Sequence, residues 1–240
     1  FSYETPNIFA LPLGAIFDFH QEFYEKNFFI NSNSAFFTLI GPLGQWKIGG
    51  KIESSEDLNL NQRFKSKSGV FGLKGDRRNN RWLPYRGSFW EWNLSYGKLN
   101  DFLGSTQVAE LYLSIEKYKS LDNSVLFFSL LGQRNWVDNR SLSPSKEIKF
   151  GGSKLLRGYH ENQFYTDRVF IQTIEWIFGS LDRTQLFLFA DIPFTPSLKI
   201  KPGHGFGIRQ YNGSLLYNIS LGFPGSLSDG KIHISFTTDL

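Results

Sequence analysis

The chain has 240 residues, a formal net charge of +4, and neither cysteine nor methionine. That length suits one domain with a large core or one mid-sized barrel; the missing cysteines exclude disulfide scaffolds and thiolate metal sites. The mild charge gives no case for nucleic acid, and the 25 Phe, 10 Tyr and 6 Trp are spread along the chain rather than gathered into the stacking platforms of an RNA-binding sheet.

Hydrophobic residues make up only 40% of the chain and the mean hydropathy is −0.28. A polar average with an aromatic-rich apolar part fits a barrel with a lipid-facing band and a wet interior better than a soluble sandwich, the alternative. The longest apolar stretch, around Val125 to Gly132, falls far short of the roughly 18 residues that mark a membrane helix. A chain of this kind spans a membrane with strands or not at all. Starting at Phe1 without a leader, it reads as a processed chain or a fragment.

In chain order, residues Phe1 to Pro12 form a lead-in. Leu13, Ala15, Phe17, Phe19 and Phe23 then alternate with Asp18, His20 and Glu22, the pattern of a half-buried strand. Asn27 to Gly41 gives a second strand after the short connection Tyr24 to Lys26. Trp46, Ile48, Gly50 and Ile52 mark a third, alternating with Lys47, Lys51 and Glu53. The polar run Ser54 to Arg63 reads as a long loop, Phe64 to Lys74 as a fourth strand, and Gly75 to Arg81 as a solvated loop rather than a basic patch. Trp90, Trp92, Leu94 and Tyr96 mark the fifth strand. Ala109, Leu111, Leu113 and Ile115 mark the sixth, opposite Glu110 and Glu116, and Leu126, Phe128 and Leu130 the seventh. After the polar loop Arg134 to Glu147 come five more strands: Arg168 to Phe178, Thr184 to Ile192, Gly203 to Arg209, Ser214 to Phe223, and Ile232 to Leu240. The expected fold is all-β: a closed antiparallel transmembrane β-barrel of about twelve strands, an even number that lets the sheet close its edges in lipid.

One stretch matches neither strand nor solvated loop. Gly151-Gly152-Ser153-Lys154-Leu155-Leu156-Arg157-Gly158-Tyr159 sets a lone arginine among apolar residues and turn glycines. A loop folded into a protein interior uses that mixture, because its arginine then needs carboxylate partners. Glu175 and Asp191 lie on the polar parity of later strands and are the candidate partners; the alternative is that they are independent lumen charges. Gly203, Gly205 and Gly207 share one parity of the next strand, clearing a strip of wall on which a loop backbone can pack closely.

Leu156-Arg157-Gly158-Tyr159 after Phe150-Gly151-Gly152 resembles the [V/L]RG[F/Y] loop of the outer-membrane assembly and translocation superfamily that includes BamA, TamA and FhaC, also called the bacterial surface antigen family. Later segments resemble that family in the same order. Thr173-Ile174-Glu175-Trp176 resembles its glutamate-bearing strand and Leu188-Phe189-Ala190-Asp191 its aspartate-bearing strand. Gly203 to Arg209 resembles its glycine-and-arginine strand, and Lys231 to Leu240 its terminal strand. The resemblance implies an LRGY loop inserted in the lumen, its Arg157 paired with Glu175 and Asp191. It implies residence in a bacterial outer membrane and a role in outer-membrane protein assembly, insertion or translocation. Its partners would be outer-membrane lipid, client outer-membrane proteins, and periplasmic or lipoprotein subunits. The alternative role is a passive pore or structural barrel.

Residues 1 to 240 are expected to form a single barrel domain without a POTRA module, and no cofactor is expected. Gly203-x-Gly205-x-Gly207 lacks the helix and acidic partner of a nucleotide loop. His20, His160, His204 and His233 have no metal-ligand spacing. No serine sits in G-x-S-x-G, so no enzyme activity is expected.

Overall fold

The computed structural model describes residues 2–5, 13–24, 28–57, 62–102, 104–180 and 183–238. Its strands are β1 (Ser2–Thr5), β2 (Leu13–Tyr24), β3 (Phe28–Gly41), β4 (Gly44–Asp57), β5 (Gln62–Asp76), β6 (Gly87–Asp101), β7 (Gly104–Ser120) and β8 (Val125–Val137). They continue with β9 (Ile148–Phe150), β10 (Phe164–Thr166), β11 (Arg168–Ser180), β12 (Thr184–Phe194), β13 (Gly203–Tyr211), β14 (Leu215–Phe223) and β15 (Lys231–Thr238). Thirteen of them form one sheet in the order β1 to β8 followed by β11 to β15, while β9 and β10 pair as a separate ribbon. The pairs from β1–β2 to β4–β5 and from β11–β12 to β14–β15, and the β9–β10 ribbon, are antiparallel.

All twelve alternating segments of the sequence are strands, and three further strands raise the number above twelve. The three are 3 or 4 residues long, too short to show a period. β1 lies in the stretch read as a lead-in and pairs with β2, Ser2 opposite Asp18. The run beginning at Ser54 is not all loop: β4 continues to Asp57, with Glu53 and Ser55 buried. Polar residues on the buried face of a strand look like loop to a hydrophobicity pattern. Residues 25–27, 58–61, 239 and 240, where parts of two expected connections and the expected end of the last strand fall, lie outside the described residues.

Many large apolar side chains stand exposed while several charged ones are buried. Phe37, Ile48, Trp176, Leu188, Phe206, Ile232 and Phe236 are exposed, whereas Glu53, Ser66, Lys146, Arg157, Glu175 and Asp191 are buried. On the strands, alternation places Glu53, Ser66, Glu175 and Asp191 on the face opposite the exposed apolar side chains, and a solvated sheet has no reason to present its large apolar side chains outward.

The chain forms two compact units. The first comprises residues 1–75, 91–112 and 134–147, with Phe64, Leu99 and Val108 at its core and Val137 against them. The second comprises residues 76–90, 113–133 and 148–240. It has two clusters: Tyr118, Val125, Phe127, Ile177, Phe187 and Phe189, and a second built from Ile148, Phe150, Leu156, Val169 and Ile171. The buried face of this second unit is therefore partly apolar, where a wet interior was expected. The loop expected over Gly75 to Arg81 is largely exposed from Asp76 on, and the connection continues to Arg86, tightly folded on its own side chains. Asn80 Oδ1 accepts from the amides of Trp82 and Leu83, Asn79 Oδ1 from those of Tyr85 and Arg86, and Leu83 is fully buried.

Candidate functional site

The ribbon β9–β10, with Phe150 opposite Phe164 and Ile148 opposite Thr166, presents residues 151–163 as a loop. Gly151, Gly152 and Gly158 adopt positive φ of 123°, 88° and 96°, which side-chain-bearing residues rarely adopt. Gly152 and Leu156 exchange both backbone hydrogen bonds, at 3.0 and 3.2 Å, closing a small turn. The Glu161 carboxylate accepts from the Ser153 amide at 2.6 Å and fills the place a Cβ on Gly152 would take. Leu156, 0% exposed, anchors the turn in the cluster of Ile148, Phe150, Val169 and Ile171. Its burial fixes where the next residue goes.

Arg157 is 6% exposed. Its Nε and Nη2 donate to Asp191 Oδ2 and Oδ1 at 2.9 and 2.7 Å, a bidentate pair, and its backbone amide donates to Asp191 Oδ2 at 2.9 Å. Nη1 donates to Glu175 Oε1 at 2.7 Å. Glu175 also accepts from Arg209 Nη2 at 2.7 and 2.6 Å, and Asp191 from the Thr173 hydroxyl at 2.9 Å. Two cations and two carboxylates thus balance. Burial works against the Arg157 charge, but Glu175 and Asp191 outweigh it and raise the guanidinium pKa, so the residue stays protonated. The guanidinium also lies 3.6 Å from the centre of the Phe189 ring, and that of Arg209 4.2 Å from the centre of Phe187, both within cation–π range.

The glycines divide their work differently from the expected strip. A Cβ at Gly203 would overlap the Arg157 carbonyl oxygen, so that glycine does receive the loop backbone. Gly205 and Gly207 do not. They stand opposite Phe189 and Phe187 in the β12–β13 register; a Cβ on Gly207 would strike the Phe187 ring first, and one on Gly205 would strike the Leu221 carbonyl of β14 and then the Phe189 ring. Their bareness seats the two rings that flank the arginines. The second close approach of the loop is on β14, where a Cβ at Gly222 would run into the Gly158 amide. Arg209, grouped with these glycines in the sequence, is the second cation on Glu175.

Two more contacts secure the loop. The Gly158 amide donates to His233 Nε2 on β15 at 3.0 Å, which requires the neutral ring with its proton on Nδ1. Tyr159 donates its hydroxyl to the Lys201 carbonyl at 2.9 Å. His233 and Gly222 escape sequence reasoning because neither stands in a chemical motif; their only signal is small or polar character on the buried parity of the last two strands.

A second buried cation lies in the first unit. Pro144–Lys146 forms one 3-10 turn, and Lys146, 5% exposed, directs its Nζ to Glu110 at 2.5 Å and to Glu53 at 2.7 Å. Lys51 Nζ lies 2.7 Å from Glu53 and 3.6 Å from Glu110. The serines and proline around Lys146 gave this turn the look of a solvated loop. The available signal was the pair of glutamates on the polar parity of two strands, both needing cations. Among the described residues no group of three or more His, Asp or Glu is placed to hold a metal.

In comparison with known proteins, the Omp85 superfamily domain matches residues 18–193, a span that includes Arg157, Glu175 and Asp191. The structure is similar to that of BamA from Haemophilus ducreyi lacking POTRA domains 1–3, with a TM-score of 0.75 at 11% identity, over 98% of this chain and 60% of that one. It is also similar to CdiB from Acinetobacter baumannii, with a TM-score of 0.58 at 13% identity, over 92% of this chain and 42% of that one. At such identities the likeness is one of fold, and the chain spans less than two thirds of the length of either structure. No curated protein matches it in sequence.

Proposed function

The chain belongs to the Omp85 superfamily, and on that premise we propose that it is a bacterial outer-membrane β-barrel acting in the assembly, insertion or translocation of outer-membrane proteins. The observation that carries the reading is the Arg157 loop, docked on Glu175 and Asp191 and held by β13, β14 and β15. The exposed apolar face of the strands supports a lipid surround. In this reading residues 1–240 form one barrel and the sheet closes on itself. In the same reading the Arg157 loop is an internal strut.

The reading assigns the protein no catalytic chemistry, since the carboxylates of the site are engaged by arginines. Clients and periplasmic or lipoprotein partners would do the recognising and delivering. The test is depletion of the protein in its own host, followed by quantification of the outer-membrane proteome. Expected is a fall in several barrel proteins, reproduced by a strain carrying only Arg157→Ala. Unchanged levels of every outer-membrane protein would sink the proposal, and a large, steady single-channel current from the purified chain would replace it with a passive pore.

A further inference from the structure

Beside the docked loop, the second unit carries a cleft of about 840 Å³ between the start of β11, the end of β12 and residues 195–202. Three cations line it: Arg168, Lys199 and Lys201. Among the described residues lining it there is no carboxylate. The nearest acid partner, Asp167, lies 3.8 Å from Arg168 with both side chains about half exposed, an arrangement that neutralises little. Apart from Thr195 the rest of the wall is apolar, with Phe170, Phe194 and Leu198 all exposed.

The cleft is built rather than incidental. Pro193, Pro196 and Pro202 restrict its backbone. The Thr166 hydroxyl bonds to those of Thr195 and Ser197, each at 3.2 Å, and to the Arg168 carbonyl at 3.1 Å, tying residues 195–197 to the start of β11.

We propose that this cleft binds a phosphate-bearing membrane lipid, its headgroup held by Arg168, Lys199 and Lys201 and an acyl chain lying along Phe170, Phe194 and Leu198. Charge complementarity selects an anion. Continuity selects a lipid: Phe170 leads along β11 to the exposed Ile174 and Trp176, and Phe194 leads along β12 to the exposed Leu188. A free phosphate would leave that apolar wall unused.

The same segment supports the arginine loop from its other side. Ile200 packs against the cluster around Leu156, and the Lys201 carbonyl accepts the Tyr159 hydroxyl. A lipid that orders residues 195–202 therefore stabilises the docked loop, and by linkage the docked loop favours lipid binding.

The proposal rests on the membrane reading above, and the experiment separates the two. The full chain, purified in non-ionic detergent, is first checked for the heat-dependent gel migration of a barrel. It is then exposed to mixed micelles of phosphatidylglycerol or phosphatidylcholine, and retained lipid is counted by native mass spectrometry. Wild type is expected to retain phosphatidylglycerol preferentially. Lys199→Gln/Lys201→Gln is expected to weaken that retention about tenfold, while Lys65→Gln/Lys67→Gln, with the same change in charge, leaves it intact. Phosphatidylglycerol should also slow proteolysis within residues 151–163 in wild type and not in the Lys199/Lys201 variant. Equal retention of the two lipids, no effect of the double substitution, or displacement by glycerol phosphate alone would overturn the site. Loss of heat-dependent migration in wild type would instead overturn the barrel.

Discussion

Arg157 and Lys146 each bring a cation from a connecting segment onto buried carboxylates, yet the two sites are built differently. Arg157 meets Asp191 through a planar fork and its own backbone amide, reaches Glu175 with the remaining nitrogen, and has an aromatic ring over its face. Lys146 is a point charge between Glu53 and Glu110, with Lys51 as a second cation on the same pair. The first arrangement fixes an orientation; the second only balances charge. A loop that must be held in one pose needs the first kind, which is why the recognisable motif surrounds Arg157 and no motif surrounds Lys146.

Substitutions can break or sharpen that contrast. The largest effect is expected for Arg157→Ala, which strands Glu175 with Arg209 alone and leaves Asp191 without a charged partner. The loss is about 3–5 kcal/mol, read as a lower urea midpoint in detergent and as protease cleavage within residues 151–163. Arg157→Lys should recover little, since an ammonium cannot reproduce the bidentate pair; full recovery would show that charge alone suffices. Lys146→Met comes next and costs less than Arg157→Ala, because Lys51 remains on both glutamates. An equal loss would mean that Lys51 does not share the load.

Gly203→Ala is a steric test of the docked pose. It forces the loop off β13 at about 1–3 kcal/mol and raises loop cleavage, leaving the Lys146 site untouched. The smallest effect is expected for His233→Leu, which leaves the Gly158 amide without its acceptor at about 1–2 kcal/mol. Loop cleavage should rise modestly, and unchanged cleavage would show that β15 does not help to hold the loop.

The fold was largely legible because alternation shows in most of the long strands. Twelve segments and the parity of Glu175 and Asp191 followed from it, and Arg157 stood out because an arginine flanked by Leu156, Gly158 and Tyr159 suits no solvated turn. What the pattern missed was short or polar: β1, β9 and β10 have too few residues to show a period, and the polar run Ser54 to Asp57, with Ser55 buried, disguised the end of β4 as loop.

By itself, then, the sequence determined which residues share a face of each strand, and that one connection carries a cation unsuited to water. Only the tertiary structure decided the partners. Parity assigns a side chain to a face but not to a height along the neighbouring strand, and that height places Phe189 over Gly205 and leaves Gly203 for the loop. Nor does local sequence say where a connection ends up. Lys146 among glutamates, and Gly158 against Gly222 and His233, are contacts between residues distant along the chain; for Gly158 the path is set by burial of Leu156 and its neighbours.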